Sequence, residues 1–209
     1  MWLSCAEFAD ALSSKQPTPG GGGASAYVGA LSAALGAMVG HLTLGKAKYA
    51  DVQDDIEDMV LRAERLRRRL QDLVTEDALS FAPLAGAYGL PDKTEAEKRA
   101  KAETLESALK AACDVPLEIM KSCCEAIELN AGFMEKGSKL AISDAGAGAV
   151  FGKAALTGAS LNIFINTKLM KDRPYASKLN AEAEAMIAEY GKKADATYAS
   201  VRSSLGTTE

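Results

Sequence analysis

The sequence has little of what β-sheets, zinc sites and disulfide frameworks require. Only 6% of its residues are aromatic, and short runs of alternating polar and apolar residues are scarce, which disfavours strands. One histidine and four cysteines without a CxxC pair do not give the ligand spacing of a structural zinc site, so we expect no metal. The adjacent Cys123 and Cys124 do not look like part of a disulfide framework, and we expect reduced thiols in a cytoplasmic protein.

Concentrated positive charge is also lacking. The formal net charge is −4, and the run from Arg67 to Arg69 is the one basic cluster. It lies among many acids in a predicted helix, as on a solvated helix face, so we expect no nucleic-acid partner. The N-terminal segment has no basic region followed by an apolar core, and we therefore expect no signal peptide.

The segment from Gly20 to Gly45 carries no formal charge and is long enough to span a bilayer. It consists mostly of glycine, alanine and serine, however, and is only weakly apolar. A buried helix that packs closely on its neighbours explains this composition better than a transmembrane segment. We therefore expect no membrane association.

Helix signals cover nearly the whole chain, which has 209 residues of which 48% are hydrophobic. Capping-box patterns begin at Ser4 and Thr94, and small residues recur four apart in two weakly charged segments. We expect an all-α, up-and-down bundle of about six helices in a single domain, 1–209. The two glycine- and alanine-rich helices should form its inner layer, and their low charge also suits burial between subunits of a homo-oligomer. The expected helices run from near Ser4 to before Pro17, from Gly22 to Leu44, through a third segment that ends near Pro83 or shortly after, from Thr94 to a kink or split at Pro116, from Leu117 to Lys136, from 145 to 169 after a cap at Ser143 or Asp144, and from Asp172 or Arg173 to Ser204.

Asp77 is the most informative single position. Apolar residues of the third helix follow alternating spacings of four and three from Val52 to Leu73, which is typical of a buried seam. Four residues farther along, the same seam reaches Asp77. An unpaired buried carboxylate is unfavourable, and burial raises its pKa toward that of a useful general base. A structural salt bridge, or a helix that has already turned outward, remains the alternative.

Two segments next to the second helix are candidates for ligand binding. The helix is preceded by Gly20, Gly21 and Gly22. A glycine backbone lets a ligand come close, and a helix N-terminus attracts anions. Tight packing of the loop is nevertheless the simpler interpretation. Lys46, Lys48 and Tyr49 follow the helix. They either bind an anionic tail or merely occupy a helix C-terminus, where cations are favoured.

The second weakly charged helix contributes three further candidates. Asn162 and Asn166 lie four residues apart on one face of an otherwise apolar segment, and Asp144 belongs to the same region. Buried amides need partners. They bond either a neighbouring helix or the edge of a bound heterocycle.

These segments together resemble the cyclodeaminase/cyclohydrolase family, which includes the C-terminal domain of formiminotransferase-cyclodeaminase and free-standing bacterial methenyltetrahydrofolate cyclohydrolases. No one motif is decisive, but their joint order is specific and spans nearly the whole chain. The resemblance is carried by the segments 17–24, 41–49, 77–81, 87–91, 114–117, 142–146 and 159–163 together with Asn166.

The resemblance implies an all-helical homodimer or higher oligomer that binds a folate without metal or other cofactor, with Asp77 in the position of the family's catalytic carboxylate. The segments around Gly89 and Asp114 are most similar to the stand-alone cyclohydrolases. The implied reaction is hydrolysis of 5,10-methenyltetrahydrofolate. Formiminotetrahydrofolate cyclodeaminase is the alternative enzyme, and a non-catalytic helical binding protein is the alternative of another class.

Overall fold

The computed structural model describes residues 3–206, and within this range all regular secondary structure is helical. A short α1 precedes six longer helices, in agreement with the predicted bundle of about six. Two 3₁₀ segments, Ala47–Val52 and Lys139–Ala141, precede α3 and α6. The helices are α1 (Cys5–Ser13), α2 (Gly21–His41), α3 (Gln53–Tyr88), α4 (Glu95–Ala111), α5 (Asp114–Lys136), α6 (Ile142–Leu169) and α7 (Arg173–Ser204).

The predicted helix starts at Ser4 and Thr94 are confirmed. The Glu7 backbone N–H donates to the Ser4 hydroxyl while the Glu7 carboxylate accepts from the Ser4 N–H, and Thr94 and Glu97 form the same reciprocal pair. Asp172 caps α7, because its side chain accepts from the N–H of Tyr175. Local side-chain chemistry therefore defines these three helix starts.

Four helix boundaries differ from expectation or refine it. α2 ends at His41, short of the expected Leu44. α3 continues past Pro83 to Tyr88, because Leu84 and Ala87 are buried and hold the last turns against the core. α6 begins at Ile142, so the expected cap at Ser143 or Asp144 is wrong; the chain enters from a 3₁₀ turn, and burial of Ile142 anchors the first turn. The split near Pro116 occurs at residues 112–113, which places Pro116 in the first turn of α5, where an N–H is not needed.

The glycine- and alanine-rich helices α2 and α6 form the inner layer, as predicted. They run antiparallel, since Ser25 of α2 faces Gly158 of α6 while the Ser32 hydroxyl donates to the Gly148 carbonyl. α3 is antiparallel to α2 as well, and α5 is parallel to it. Small residues let these backbones approach closely, so the seam residue Leu70 packs directly against Gly29.

Two helical segments, Gly21–His41 and Lys139–Leu169, are long and apolar enough to cross a membrane by length and composition alone. Buried helices of bundles meet the same criterion. About three fifths of the relevant window of α2 is buried by its neighbours inside the bundle. The observation is weak support for a membrane span, and the expectation of no membrane association stays a prediction.

Candidate active site

Asp77 lies on the seam of α3, one turn beyond the fully buried Leu73, and is itself half-buried. The predicted periodicity holds along the helix, because Ile56, Ala63 and Leu70 are buried at the same register. At Asp77 the seam reaches the level of the N-terminal end of α2. α3 then extends eleven residues farther, to Tyr88, which is about 16 Å at 1.5 Å per residue. The carboxylate therefore lies where α3 passes the first turn of α2.

The N-terminal turn of α2 faces this carboxylate. A Cβ on Gly22 would lie 2.6 Å from the Asp77 Cγ, so the carboxylate occupies the space that any other side chain at position 22 would need. Gly20 is the N-cap of α2, with extended backbone, and Gly21 is its first residue. Of the two interpretations of the glycine run, close packing applies at Gly22, and the group it packs against is the candidate catalytic residue.

Burial raises the pKa of Asp77 above its ordinary value, and the facing Gly23 backbone N–H partly opposes this shift. Within residues 3–206, no cation forms an ion pair with Asp77. The structural salt bridge that was the alternative for this residue is therefore absent from the part of the chain that the structure describes. An unpaired carboxylate with a raised pKa, beside a helix N-terminus, is suited to accept and return a proton.

The two asparagines of α6 lie near the same end of the bundle but differ in their environment. The Asn166 amide donates to the Ala112 carbonyl at 3.2 Å, where α4 ends, and also faces the Cys113 thiol. It thus bonds a neighbouring helix. Asn162 is half-buried and lies one turn beyond Gly158, at the level of the first turn of α2. In the described part of the chain its amide forms no hydrogen bond, so it remains available to a ligand.

The remaining predicted site residues lie at the opposite end of α2. Lys46 and Lys48 are exposed, and the Tyr49 hydroxyl accepts a hydrogen bond from the Lys139 backbone N–H at 3.1 Å. Asp144 lies near them, in the first turn of α6. α2 spans about 30 Å at 1.5 Å per residue. Within one chain, these four residues are therefore not brought together with Asp77.

A cleft of about 330 Å³ opens between α1, the start of α2 and α3; it is lined by Val74 and Ala78 of α3 but not by Asp77 itself. Sequence reasoning missed this feature. Its walls include Phe8, Pro19, Tyr27 and Asp72, which come from four different parts of the chain. No periodicity or short motif connects such residues; the cleft exists only because α1 folds back over α2 and α3. Elsewhere in the described residues, no three His, Cys, Asp or Glu side chains cluster as a metal ion would require.

Comparisons with known proteins agree with the resemblance inferred from the sequence. A family model described as formiminotransferase-cyclodeaminase matches residues 4–185. The methenyltetrahydrofolate cyclohydrolase of Methylorubrum extorquens is 43% identical over 196 residues, which are 94% of each chain. The formimidoyltransferase-cyclodeaminase of Rattus norvegicus is 28% identical over 87% of this chain, which corresponds to 34% of that longer protein.

A solved structure supports the fold independently. The formiminotetrahydrofolate cyclodeaminase of Thermotoga maritima superposes with a TM-score of 0.79 at 29% identity, covering 96% of this chain and 94% of that one. The family model covers most of the chain, and the cyclohydrolase relative covers almost all of it. The chain therefore belongs to the formiminotransferase-cyclodeaminase family.

Proposed function

We propose that this protein is a methenyltetrahydrofolate cyclohydrolase, which hydrolyses 5,10-methenyltetrahydrofolate to 10-formyltetrahydrofolate. One observation carries the proposal: Asp77 is an unpaired, half-buried carboxylate at the start of α2, where Gly23 separates it from the cleft residues Pro19 and Val74. It occurs in a chain that is 43% identical, over nearly its full length, to a protein of that name. The cyclodeaminase relatives are more distant in sequence.

The substrate contains a cationic carbon between two nitrogens, N5 and N10, and water attacks this carbon. Ionised Asp77 attracts the cation and accepts one proton from the attacking water as the new C–O bond forms. The protonated carboxyl then returns this proton to N5 as the N5–C bond breaks, and the hydroxyl of the intermediate releases its proton to solvent as the C=O of the formyl group on N10 forms. A carboxyl group whose pKa is raised by burial suits both steps, because it takes up and releases a proton more readily near neutral pH.

Replacement of Asp77 by asparagine tests this role. The amide of the variant keeps the shape of the side chain but cannot accept the proton, so we expect kcat to fall about 10²- to 10⁴-fold with the protein still folded. Loss of the absorbance of the methenyl compound measures the rate, and circular dichroism monitors the fold. A D77N rate within about twofold of the wild type would remove the mechanism.

Cyclodeaminase activity is the second candidate, because the solved relative with a TM-score of 0.79 bears that name. The two reactions start from different substrates and leave different products. Purified protein should therefore be assayed in parallel with 5,10-methenyltetrahydrofolate and with 5-formiminotetrahydrofolate. Hydrolysis of the first without ammonia release from the second supports the proposal, whereas ammonia release at the higher kcat/KM favours the cyclodeaminase.

The proposal includes a reaction without resident metal or cofactor. The chemistry above needs only water, a base and the electrophile already present in the substrate. We therefore expect dialysis against a chelator to leave the hydrolysis rate unchanged within about twofold. A rate lost on chelation and restored by a divalent metal would contradict this part of the proposal.

The proposal also includes a cytoplasmic homodimer or higher homo-oligomer. Three free thiols, Cys113, Cys123 and Cys124, are buried, which fits a reducing compartment. Both inner helices carry a stripe of exposed apolar side chains, which a second copy of the chain would cover. These are Leu31 and Met38 of α2, Leu42 directly after it, and Val150, Phe151, Leu161, Ile165 and Leu169 of α6.

A further inference from the structure

We infer that the cleft beneath α1 binds the pterin ring of the folate and that Asp72 recognises its aminopyrimidine edge. The inference rests on the proposed function and extends it to a residue that no sequence pattern singled out. It follows from the shape and chemistry of the cleft, from its unused hydrogen-bonding groups and from its junction with Asp77.

The cleft offers an aromatic and apolar lining of the kind that holds a flat ring. Phe8 and Tyr27 contact each other with ring centroids 5.4 Å apart, and the Tyr27 hydroxyl is fixed at 3.2 Å from the Cys5 sulfur. Val74 and Ala78 of α3 line another side. α1 buries none of its own residues, so Phe8 stays partly accessible from the cleft. Flat heteroaromatic ligands bind in such largely apolar clefts, where a few polar groups fix their orientation.

Two adjacent side chains of α3 supply those polar groups. Asp72 lines the cleft and, within the described residues, has no ion pair or hydrogen bond. Gln71 accepts a hydrogen bond from Arg67 through its amide oxygen at 3.1 Å, which leaves the amide nitrogen as a free donor. The pterin edge presents two N–H donors side by side, followed by a carbonyl oxygen. A carboxylate matches the donors in a bidentate, charge-assisted manner, and an amide N–H matches the carbonyl.

The cleft adjoins the catalytic carboxylate at Gly23. A Cβ built on Gly23 would lie 3.7 Å from Pro19, 3.6 Å from the Val74 carbonyl and 3.7 Å from the Asp77 Oδ2. The cleft wall and the carboxylate therefore meet around one point that carries no side chain. Asp72 and Asp77 are separated by about 7.5 Å along α3 and by about 140° around its axis, so a ligand that contacts both must extend from the cleft past Gly23. This order agrees with the substrate, whose aminopyrimidine edge and reactive carbon lie at opposite ends of its fused rings.

The first test measures binding of 5-formyltetrahydrofolate, which has the same aminopyrimidine edge but not the reactive bridging carbon. Calorimetric titration of Asp72→Asn should show about ten- to hundredfold weaker binding than the wild type, because a charge-assisted bidentate pair is lost. The matched control is Glu57→Gln, which removes the same charge from an exposed position of the same helix, outside the cleft. Equal affinity of Asp72→Asn and the control would overturn the inference.

A second ligand tests whether Asp72 acts on that edge. Replacing the 2-amino group of the pterin by a methyl group should weaken binding to the wild type by a similar factor. The same change should have little further effect on Asp72→Asn, since the contact is already lost. If the ligand change weakened binding to Asp72→Asn by the same factor as binding to the wild type, the assigned contact would be contradicted. In turnover, Asp72→Asn should raise KM and leave kcat within about threefold, the result expected for a contact made equally in the ground and transition states.

Gly23→Ala tests the junction between the cleft and Asp77. Distances of 3.6–3.7 Å are ordinary van der Waals contacts, so the variant should fold and be at least as stable as the wild type. The added methyl group should nevertheless displace the substrate from Asp77 and lower kcat/KM about tenfold or more. Full activity of Gly23→Ala would contradict the junction.

The outcomes separate this inference from the proposed function. Hydrolysis by the wild type with Asp72-independent binding would overturn the pterin assignment alone. Asp72-dependent binding without turnover of the methenyl compound would overturn the proposed reaction and support the cleft.

Discussion

Asp77 carries a negative charge at a register where the preceding seam positions of α3 are apolar and buried. The bundle tolerates this because α2 begins with glycines: the missing side chain at Gly22 makes room, and the Gly23 N–H faces the carboxylate. Periodicity was sufficient to locate Asp77 from the sequence. It could not identify Asp72, because an exposed acid close to an arginine run has the same pattern as any solvated helix face.

The raised pKa of Asp77 predicts the pH dependence of catalysis. Only the ionised carboxylate accepts the proton of water, so kcat/KM should fall as the pH decreases through its folded-state pKa, which lies above the ordinary 3.8. The midpoint of the acidic limb, measured at constant ionic strength, should therefore exceed 3.8. The limb should be missing from the residual activity of Asp77→Asn. An unchanged limb in that variant would assign it to another group.

The same shift predicts a stability difference of defined sign. Because the folded state raises the pKa of Asp77, it binds the proton more tightly than the unfolded state, and stability decreases as the pH rises through the folded pKa. Asp77→Asn has no such loss, so at pH 7 its thermal midpoint should equal or exceed that of the wild type. The gain should shrink as the pH is lowered toward about 4. A clearly lower midpoint at pH 7 would show that the carboxylate stabilises the fold.

Among the elements, the inner helices depend on small residues at specific contacts. Asn130 of α5 is fully buried; its amide nitrogen donates to the Ser32 carbonyl at 3.1 Å and to the Ala126 carbonyl at 2.8 Å. Its amide oxygen lies against Gly36 and Gly148. The four-residue spacing of small residues predicted close packing of α2 and α6. The partner side chain, far away in sequence, was not predictable from that spacing.

Gly148→Ala should therefore destabilise the protein. The new Cβ would lie 2.6 Å from the Asn130 Cγ, and the hydrogen bonds of Asn130 prevent its retreat. We expect a loss of about 1–3 kcal/mol in the free energy of unfolding, measured in urea. The control is Gly86→Ala in α3, where a Cβ meets no atom within 4 Å and helix propensity should add up to about 1 kcal/mol. Equal stability of the two variants would refute the packing argument.

Helix boundaries show how far local sequence signals extend. The capping boxes at Ser4 and Thr94 were predictable because each involves residues only three apart. The end of α3, expected near Pro83 or shortly after, was predictable only to within several residues, since proline disfavours helix locally while burial of Leu84 and Ala87 maintains it to Tyr88. The start of α6 was missed for a similar reason: tertiary burial of Ile142, rather than a side-chain cap, fixes it.

At the scale of the whole molecule, the predicted binding residues separate into two groups. Asp77, the glycine run and Asn162 lie at one end of α2, whereas Lys46, Lys48 and Tyr49 lie at the other, about 30 Å away. Sequence order gives no measure of such a distance until the direction of each helix is known. Between the two ends, α2 and α6 expose apolar stripes that the single chain leaves uncovered.

The last prediction is that a second copy of the chain covers these apolar stripes. Leu161 and Ile165 are 66% and 62% exposed and lie one turn apart on α6, on the side that faces away from the core. Replacing both with glutamate would place unpaired carboxylates in an apolar interface, which costs several kcal/mol per buried charge. Sedimentation velocity should therefore give an oligomer for the wild type and single chains for the double variant.

The matched control is Leu61→Glu, a similar change at a 56% exposed leucine on α3. It should sediment as the wild type does, because α3 carries its apolar seam on the inner side. A wild type that sediments as single chains at micromolar concentration would contradict the oligomer. So would a double variant that sediments unchanged, since two carboxylates cannot be buried there without a measurable loss of affinity. In either case another explanation would be needed for the apolar residues on α6, and the membrane-span criterion that α2 and α6 meet by length and composition would have to be tested directly with lipid vesicles.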